Sequence, residues 1–212
     1  MPPDWIDRQL RRRGIDDERV LAAMARVPRE AFVPEHERDR AYADAALTLS
    51  YGQTISQPYI VALICQALEL CGGERVLDVG TGSGYQAAVL AELGAVVVSV
   101  ERIPELAKLA RHALAATGYD VDVRVGDGTA GLAECAPYEG IAVAAAATEM
   151  PAPLYAQLAD GGRLVLPVGD NLIAVTKTPA GPRTRVLAAA RFVPLVTGLR
   201  DDQDGVHESA SL

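Results

Sequence analysis

Short runs of β-branched and aliphatic residues, "RVLDV", "VVVSV", "VDVRV", "GIAVA" and "RLVLPV", recur along residues 75–168, with helical stretches between them. Strands joined through helices run parallel, because the crossover returns the chain to the same end of the sheet, and such a sheet is covered on both faces. "YQAAVLAELG" and "IPELAKLARHALAATG" each end on a glycine suited to a left-handed cap, and "APLYAQLADGG" supplies a further helix. The last runs, "LIAVTKT" and "TRVLAAARFVPLV", flank the turn signal "PAGPR" and predict two strands on an antiparallel edge. The fold class is therefore α/β, a doubly wound and mostly parallel sheet.

Ahead of this pattern, residues 4–50 read as a polar helical appendage. "DDERVLAAMARV" offers an N-cap acid at Asp16 or Asp17, then Val20, Leu21, Met24 and Val27 at helical spacing. Nothing resembles a flexible linker, so the appendage is expected to pack on the catalytic core, residues 51–198, in one domain spanning 1–212. Arg11, Arg12 and Arg13 precede Gly14, where cations complement a helix C-terminus. The tail "RDDQDGVHESASL" lacks apolar periodicity, and residues 199–212 are expected to fray.

Composition excludes several function classes. The longest apolar runs, such as "GIAVAAAA", fall short of the roughly 20 residues a membrane helix needs. "MPPDWIDRQLRRRG" does not read as a signal peptide, so a cytoplasmic protein without membrane partners is expected. Cys65, Cys71 and Cys135 form no C-x-x-C pair, and His36, His112 and His207 are scattered, so neither a disulfide framework nor a metal site is expected. A formal net charge of -8 opposes nucleic-acid binding. A monomer is expected.

The chemistry starts at "VLDVGTGSGYQAAVL", which runs from a strand through Gly80, Gly82 and Gly84 into a helix. Such a loop lets backbone approach a ligand, with helix N–H groups pointing at it. A dinucleotide fingerprint would place its third glycine where Tyr85 stands, so the match to NAD is poor. Asp78, two residues before the first glycine, is expected at the end of the first strand, facing a ligand in the crevice beyond. The combination resembles motif I of the class I methyltransferases, a Rossmann-like fold whose ligand is S-adenosylmethionine. That resemblance implies ribose contacts for Glu101 and an adenine contact for Asp127 in "VGDG". The implied cofactor set is Asp78, Gly80, Thr81, Gly82, Ser83, Gly84, Glu101, Asp127 and Gly128. Each acid alone would pass for a surface carboxylate; three at successive strand ends describe one crevice. After the fourth strand, "AVAAAATEMP" lacks the N/D-P-P-Y run of amine methyltransferases, which favours an oxygen nucleophile.

"RVLAAMARVPREAFVP", "YGQTISQPYIVA", "VERI", "GDGTAGL", "AAATEMP", "LADGGRLVLPVG" and "RFVPLV", with the glycine loop, resemble the protein-L-isoaspartate O-methyltransferases in the same order over roughly residues 15 to 198. The resemblance implies methyl transfer to the α-carboxylate of L-isoaspartyl residues in damaged proteins and peptides, giving an ester that closes to a succinimide. It places Ser56 beside the substrate carboxylate as the catalytic residue, and Thr54, Ile55, Ser56 and Val193 along the substrate. Ser56 also reads as an N-cap before Pro58, and "RFVPLV" reads equally as a buried strand. Glu139, Ala144 and Thr148 replace a family acid, hydroxyl and proline in a loop expected to border the site, and Ala45, Ala46 and Thr48 depart upstream. Those departures motivate an alternative, a carboxylate methyltransferase for a dedicated peptide; a non-catalytic adaptor that binds S-adenosylmethionine is another. Asp204-Gly205 is a bond prone to isomerise, which would make the protein a substrate of its own kind.

Overall fold

The computed structural model describes residues 4–200. The tail from residue 201 onward, including Asp204 and Gly205, lies outside the described residues.

Helix α1 (Trp5–Gln9) leads through a 3-10 turn over Arg11–Arg13 to Gly14, which takes the left-handed conformation at φ 91. Helix α2 (Glu18–Arg26) is capped by Asp17, whose carboxylate accepts from the N–H groups of Arg19 and Val20 at 2.8 and 3.3 Å. Of the two candidate caps, Asp17 is the one used. Val20, Leu21, Met24 and Val27 all face inward, as their spacing predicts. The appendage is less polar than its sequence suggests: Trp5, Leu10 and Ile15 are also buried and share one apolar core with the helices that follow. Much of its charge lies outside, where Arg11, Arg12 and Arg13 pair with Glu18, Asp7 and Asp44.

A two-stranded ladder, β1 (Leu47–Thr48) with β2 (Thr54–Ile55), closes around a turn in which Tyr51 and Gly52 have φ 62 and 66. Helix α3 (Pro58–Leu68) then enters the main fold. There β3 (Arg75–Val79), α4 (Tyr85–Glu92), β4 (Val96–Glu101), α5 (Pro104–Thr117), β5 (Asp122–Val125) and β6 (Tyr138–Val143) follow. They are followed by α6 (Ala152–Ala156), β7 (Leu158–Val168), β8 (Asn171–Thr178) and β9 (Gly181–Ala189). The sheet order is β5-β4-β3-β6-β7-β8-β9, parallel through β7 and antiparallel across β8 and β9. The α/β class with an antiparallel edge is thus what the chain adopts.

The two faces are covered unequally. One carries α3, α4, α5 and the appendage; the other carries α6 and the 3-10 turns at 128–130 and 133–135. "APLYAQLADGG" yields only the five residues of α6, because β7 begins at Leu158 and pairs with Tyr138 before its register shifts. The final predicted strand also ends early. Past Ala189 the chain leaves the sheet, so "RFVPLV" is no strand: it hooks onto the loop after β6, Ala146 N donating to Val193 O and Leu195 N to Ala146 O, each at 2.7 Å. Pro194, which has no N–H to give, sits at an isolated bridge there.

Candidate active site

Strand β3 lies between β4 and β6, so the chain order reverses there and a crevice opens beyond the carboxyl ends of these strands. The glycine loop turns across that opening with Gly80, Gly82 and Gly84 at φ 90, 53 and 88, which residues with a Cβ rarely adopt. Gly80 N and Thr81 N donate to Val100 O at 2.9 and 3.3 Å, tying the loop to β4. Gly84 becomes the N-cap of α4, and Ser83 Oγ accepts from Tyr85 N.

The three predicted acids occupy three different environments. Glu101, at the end of β4, accepts from Gly82 N on one oxygen (2.9 Å) and Ile103 N on the other (3.1 Å), and it lines the crevice. Asp127 follows β5; one oxygen takes the backbone and hydroxyl of Thr129, the other the N–H of Gly198 at 2.7 Å. Burial works to raise its pKa, but these donors outweigh burial and hold it below the usual carboxylate range. Asp78 departs from expectation. It is fully buried under the loop rather than facing the crevice, because Ser99 Oγ and Gln86 Nε2 hold its two oxygens at 2.7 Å each. Ser99 in turn meets Thr81 Oγ1 at 2.5 Å, so the acid supports the loop through a chain of hydroxyls. Burial pushes Asp78 up to about 6, against the pull of the Ser99 and Gln86 hydrogen bonds.

Three hollows meet at this end of the sheet. A crevice of about 70 Å³ is walled by Gly80, Gly82, Glu101, Gly128 and Val193. A cleft of about 560 Å³ is bounded by Ser56, Tyr59, Arg13, Arg191 and Phe192. A pocket of about 30 Å³ lies under the loop, between Ile55, Ser56, Thr81, Ser83 and Gln86. Thr54 and Ala144 line all three, so they mark the junction. Gly128 forms a bare floor: a Cβ there would stand 2.6 Å from Val79 Cγ1. A side-chain-free floor, a backbone cradle and acceptors at two strand ends fit S-adenosylmethionine, which carries vicinal hydroxyls and an amino group.

Ser56 is not the helix cap. Pro58 holds the first helical position, which places the cap at the extended Gln57, and the Gln57 side chain donates to Asp44 at 2.6 Å. The Ser56 hydroxyl makes no hydrogen bond among the described residues and borders both cleft and pocket, while its carbonyl accepts from Arg29 Nη2 at 2.7 Å. Arg29 is wholly buried, bonds Ala41 O at 2.7 Å and lies over the Tyr85 ring at 4.7 Å; burial lowers its pKa to about 10. Sequence reasoning missed Arg29, Ser99 and Gln86. "RVPREAF" and the S-x-E spacing of Ser99 and Glu101 were the available signals, but a buried arginine reads as surface charge until its partners are seen. Also missed were the ties of residues 193–200, where Arg102 Nε donates to Gly198 O (3.0 Å) and Arg200 Nη1 to Tyr51 O (2.9 Å), drawing this strap across the strand ends.

Of the family departures, only Ala144 stands at the junction. Glu139 lies at the opposite end of β6, where it accepts from Arg75 N, so it does not border the site as expected; Thr148 is exposed and lines none of the three hollows. Among the described residues no group of three His, Cys, Asp or Glu is arranged to hold a metal, and no helix is long and apolar enough to cross a membrane.

A family model described as protein-L-isoaspartate(D-aspartate) O-methyltransferase matches residues 4–200. The chain is 53% identical over 199 residues to protein-L-isoaspartate O-methyltransferase 2 of Anaeromyxobacter, covering 91% of this chain and 82% of that one. It is 55% identical over 195 residues to the protein of that name in Marinobacter nauticus, covering 89% of each. Among solved structures, a protein-L-isoaspartate O-methyltransferase superposes with TM-score 0.83 at 28% identity, covering 94% of this chain and 67% of that chain. A beta-aspartate methyltransferase from Plasmodium falciparum, in complex with S-adenosyl-L-homocysteine, gives 0.77 at 26%, covering 91% and 97%.

Proposed function

The chain belongs to the protein-L-isoaspartate(D-aspartate) O-methyltransferase family, and from that premise we propose how its own residues carry out methyl transfer from S-adenosylmethionine to the α-carboxylate of L-isoaspartyl residues. The observation that carries the assignment is the junction at Thr54 and Ala144, where the crevice under the glycine loop meets the open cleft beside an unbonded Ser56 hydroxyl. A peptide in that cleft would reach the loop at this point.

S-adenosylmethionine supplies an electrophilic methyl on a sulfonium. Glu101 accepts the ribose hydroxyls, Asp127 the adenine amino group, and Gly80 to Gly84 cradle the remainder with Gly128 beneath. Asp78 acts one step removed, by holding Ser99 and Thr81 and so the shape of the loop. Thr54 and Val193 wall the peptide side, Ile55 lies buried at the pocket under the loop rather than in the cleft where the resemblance put it, and Ser56 orients the substrate carboxylate by donating its hydroxyl. No general base is needed, since a carboxylate, whose ordinary pKa is about 4, is already ionised at neutral pH. What remains is alignment and exclusion of water, to which the strap of residues 193–200 contributes; holding two reactants in line is worth roughly 7–11 kcal/mol in favourable systems.

A monomeric, cytoplasmic enzyme that acts on polypeptide rather than nucleic acid completes the proposal, and the net charge of -8 supports the choice of substrate. One observation favours a second reading, a carboxylate methyltransferase for a dedicated peptide: Ala144 stands at the junction where the family carries a hydroxyl. Incubation with labelled S-adenosylmethionine and paired peptides differing only in Asp or isoAsp tests both. Base-labile methyl ester on the isoAsp peptide alone supports repair; label on neither, with cofactor binding intact, refutes it and favours the dedicated substrate or an adaptor.

A further inference from the structure

Gln86 sits in the first turn of α4, 7% exposed, behind the glycine loop. Its Nε2 donates to Asp78 Oδ1 at 2.7 Å. An ionised carboxylate can only accept, so this bond fixes which end of the amide faces Asp78 and forces Oε1 to the other side. That oxygen is buried and has no hydrogen-bond partner among the described residues. A buried acceptor without a donor is unfavourable and uncommon, and beside a binding cavity a ligand that brings a donor would satisfy it. Gln86 has such a cavity. It lines the pocket of about 30 Å³ whose other walls include Gly80, Thr81, Gly82, Thr54 and Ser56.

Taking the cofactor reading above as given, we propose that Gln86 is a cofactor-binding residue whose Oε1 accepts a hydrogen bond from the α-ammonium group of S-adenosylmethionine. Chemistry selects that group. The adenine amino group and ribose hydroxyls are donors, but the acids that would take them, Asp127 and Glu101, are not among the walls of this pocket. The ligand carboxylate has no proton to give and would be repelled by an amide oxygen backed by Asp78. The ammonium is the remaining donor, and it is the one whose charge the carboxylate behind the amide favours, since hydrogen bonds in series polarise one another. Because the same pocket touches Ser56, anchoring the amino-acid end there also sets the distance from the sulfonium methyl to the substrate side.

The test is calorimetric and needs no turnover. Wild-type protein and the Gln86→Leu variant, similar in volume but without an acceptor, are titrated with S-adenosylhomocysteine and with its analogue in which hydrogen replaces the α-amino group. The expected result is a loss of roughly ten-fold or more for Gln86→Leu on S-adenosylhomocysteine, and no difference between the two proteins on the analogue. Equal loss on both probes would overturn the proposal, because Gln86 would then act by supporting Asp78 and the loop; so would undiminished binding of S-adenosylhomocysteine. Gln86→Met, titrated in parallel, keeps the test decisive if the leucine variant folds poorly. Failure of the wild-type protein to bind S-adenosylhomocysteine at all would overturn the cofactor reading itself, a different outcome from either of these.

Discussion

Ser56 and Glu101 stand about the same junction, yet their surroundings assign them different work. The Ser56 hydroxyl is unbonded and opens toward the peptide cleft, whereas Glu101 already grips the loop through Gly82 N. Ser56→Ala is expected to lower kcat at least ten-fold with the dissociation constant for S-adenosylhomocysteine unchanged; Glu101→Ala is expected to weaken that binding ten-fold or more. Calorimetry beside steady-state kinetics separates them, and equal loss of cofactor affinity in both would contradict the division. Asp78 makes a pH prediction. Its folded pKa of about 6 lies above that of a solvated aspartate, so the native state holds the proton more tightly than the unfolded chain does. Its contribution is therefore most favourable at low pH and is lost as pH rises to about 6, in total about 3 kcal/mol at most. Urea unfolding of wild type and Asp78→Asn between pH 4 and 8 is expected to show their difference changing up to about pH 6 and flat above; a constant difference would contradict the shift.

At the scale of elements, local signals decided starts and stops where the chain could satisfy itself. Asp17 caps α2 because its own side chain reaches the exposed N–H groups of Arg19 and Val20. Asp17→Ala is expected to cost about 1 kcal/mol in urea unfolding while leaving kcat intact; a loss of activity at equal stability would argue that α2 does more than pack. Where the deciding partner is distant, the sequence misleads. "RFVPLV" has the composition of a strand, yet β8 pairs with β9 only through Ala189, and the following residues bond to Ala146 instead. Ser56 is a local case instead: Pro58, two residues on, starts the helix one residue later than a Ser56 cap would require.

Across the whole molecule, the N-terminal appendage and the catalytic core share one apolar cluster: Trp5, Leu10, Ile15, Val20, Leu21 and Met24 are buried together with residues of α3 and α4. Arg19 adds polar ties, donating to Leu93 O at 2.8 Å and also to Leu70 O, and Arg29 reaches from the appendage to the Ser56 carbonyl. Removing residues 1–45 is expected to leave too little apolar burial to fold and to strip the support from Ser56. Soluble expression and circular dichroism would check it: a folded, cofactor-binding fragment would show that the appendage is dispensable.

The order of strands and helices, the glycine loop, Glu101, Asp127 and the α2 cap were all legible in the sequence. The elements, the loop and the cap depend on periodicity, on backbone freedom at a glycine, or on partners a few residues apart, and such information is local; Glu101 and Asp127, whose bonds reach Gly82 N and Gly198 N, were found through the resemblance. Tertiary structure alone decided that Asp78 turns inward to Ser99 and Gln86, that Arg29 is buried against Ser56 O, that Glu139 is remote from the site, and that residues 193–200 cross the strand ends. In each of these a polar group chooses among partners far away along the chain. Burial makes that choice compulsory, since a hidden donor or acceptor must find a mate, and which mate is within reach is known only once the sheet and its two faces are assembled.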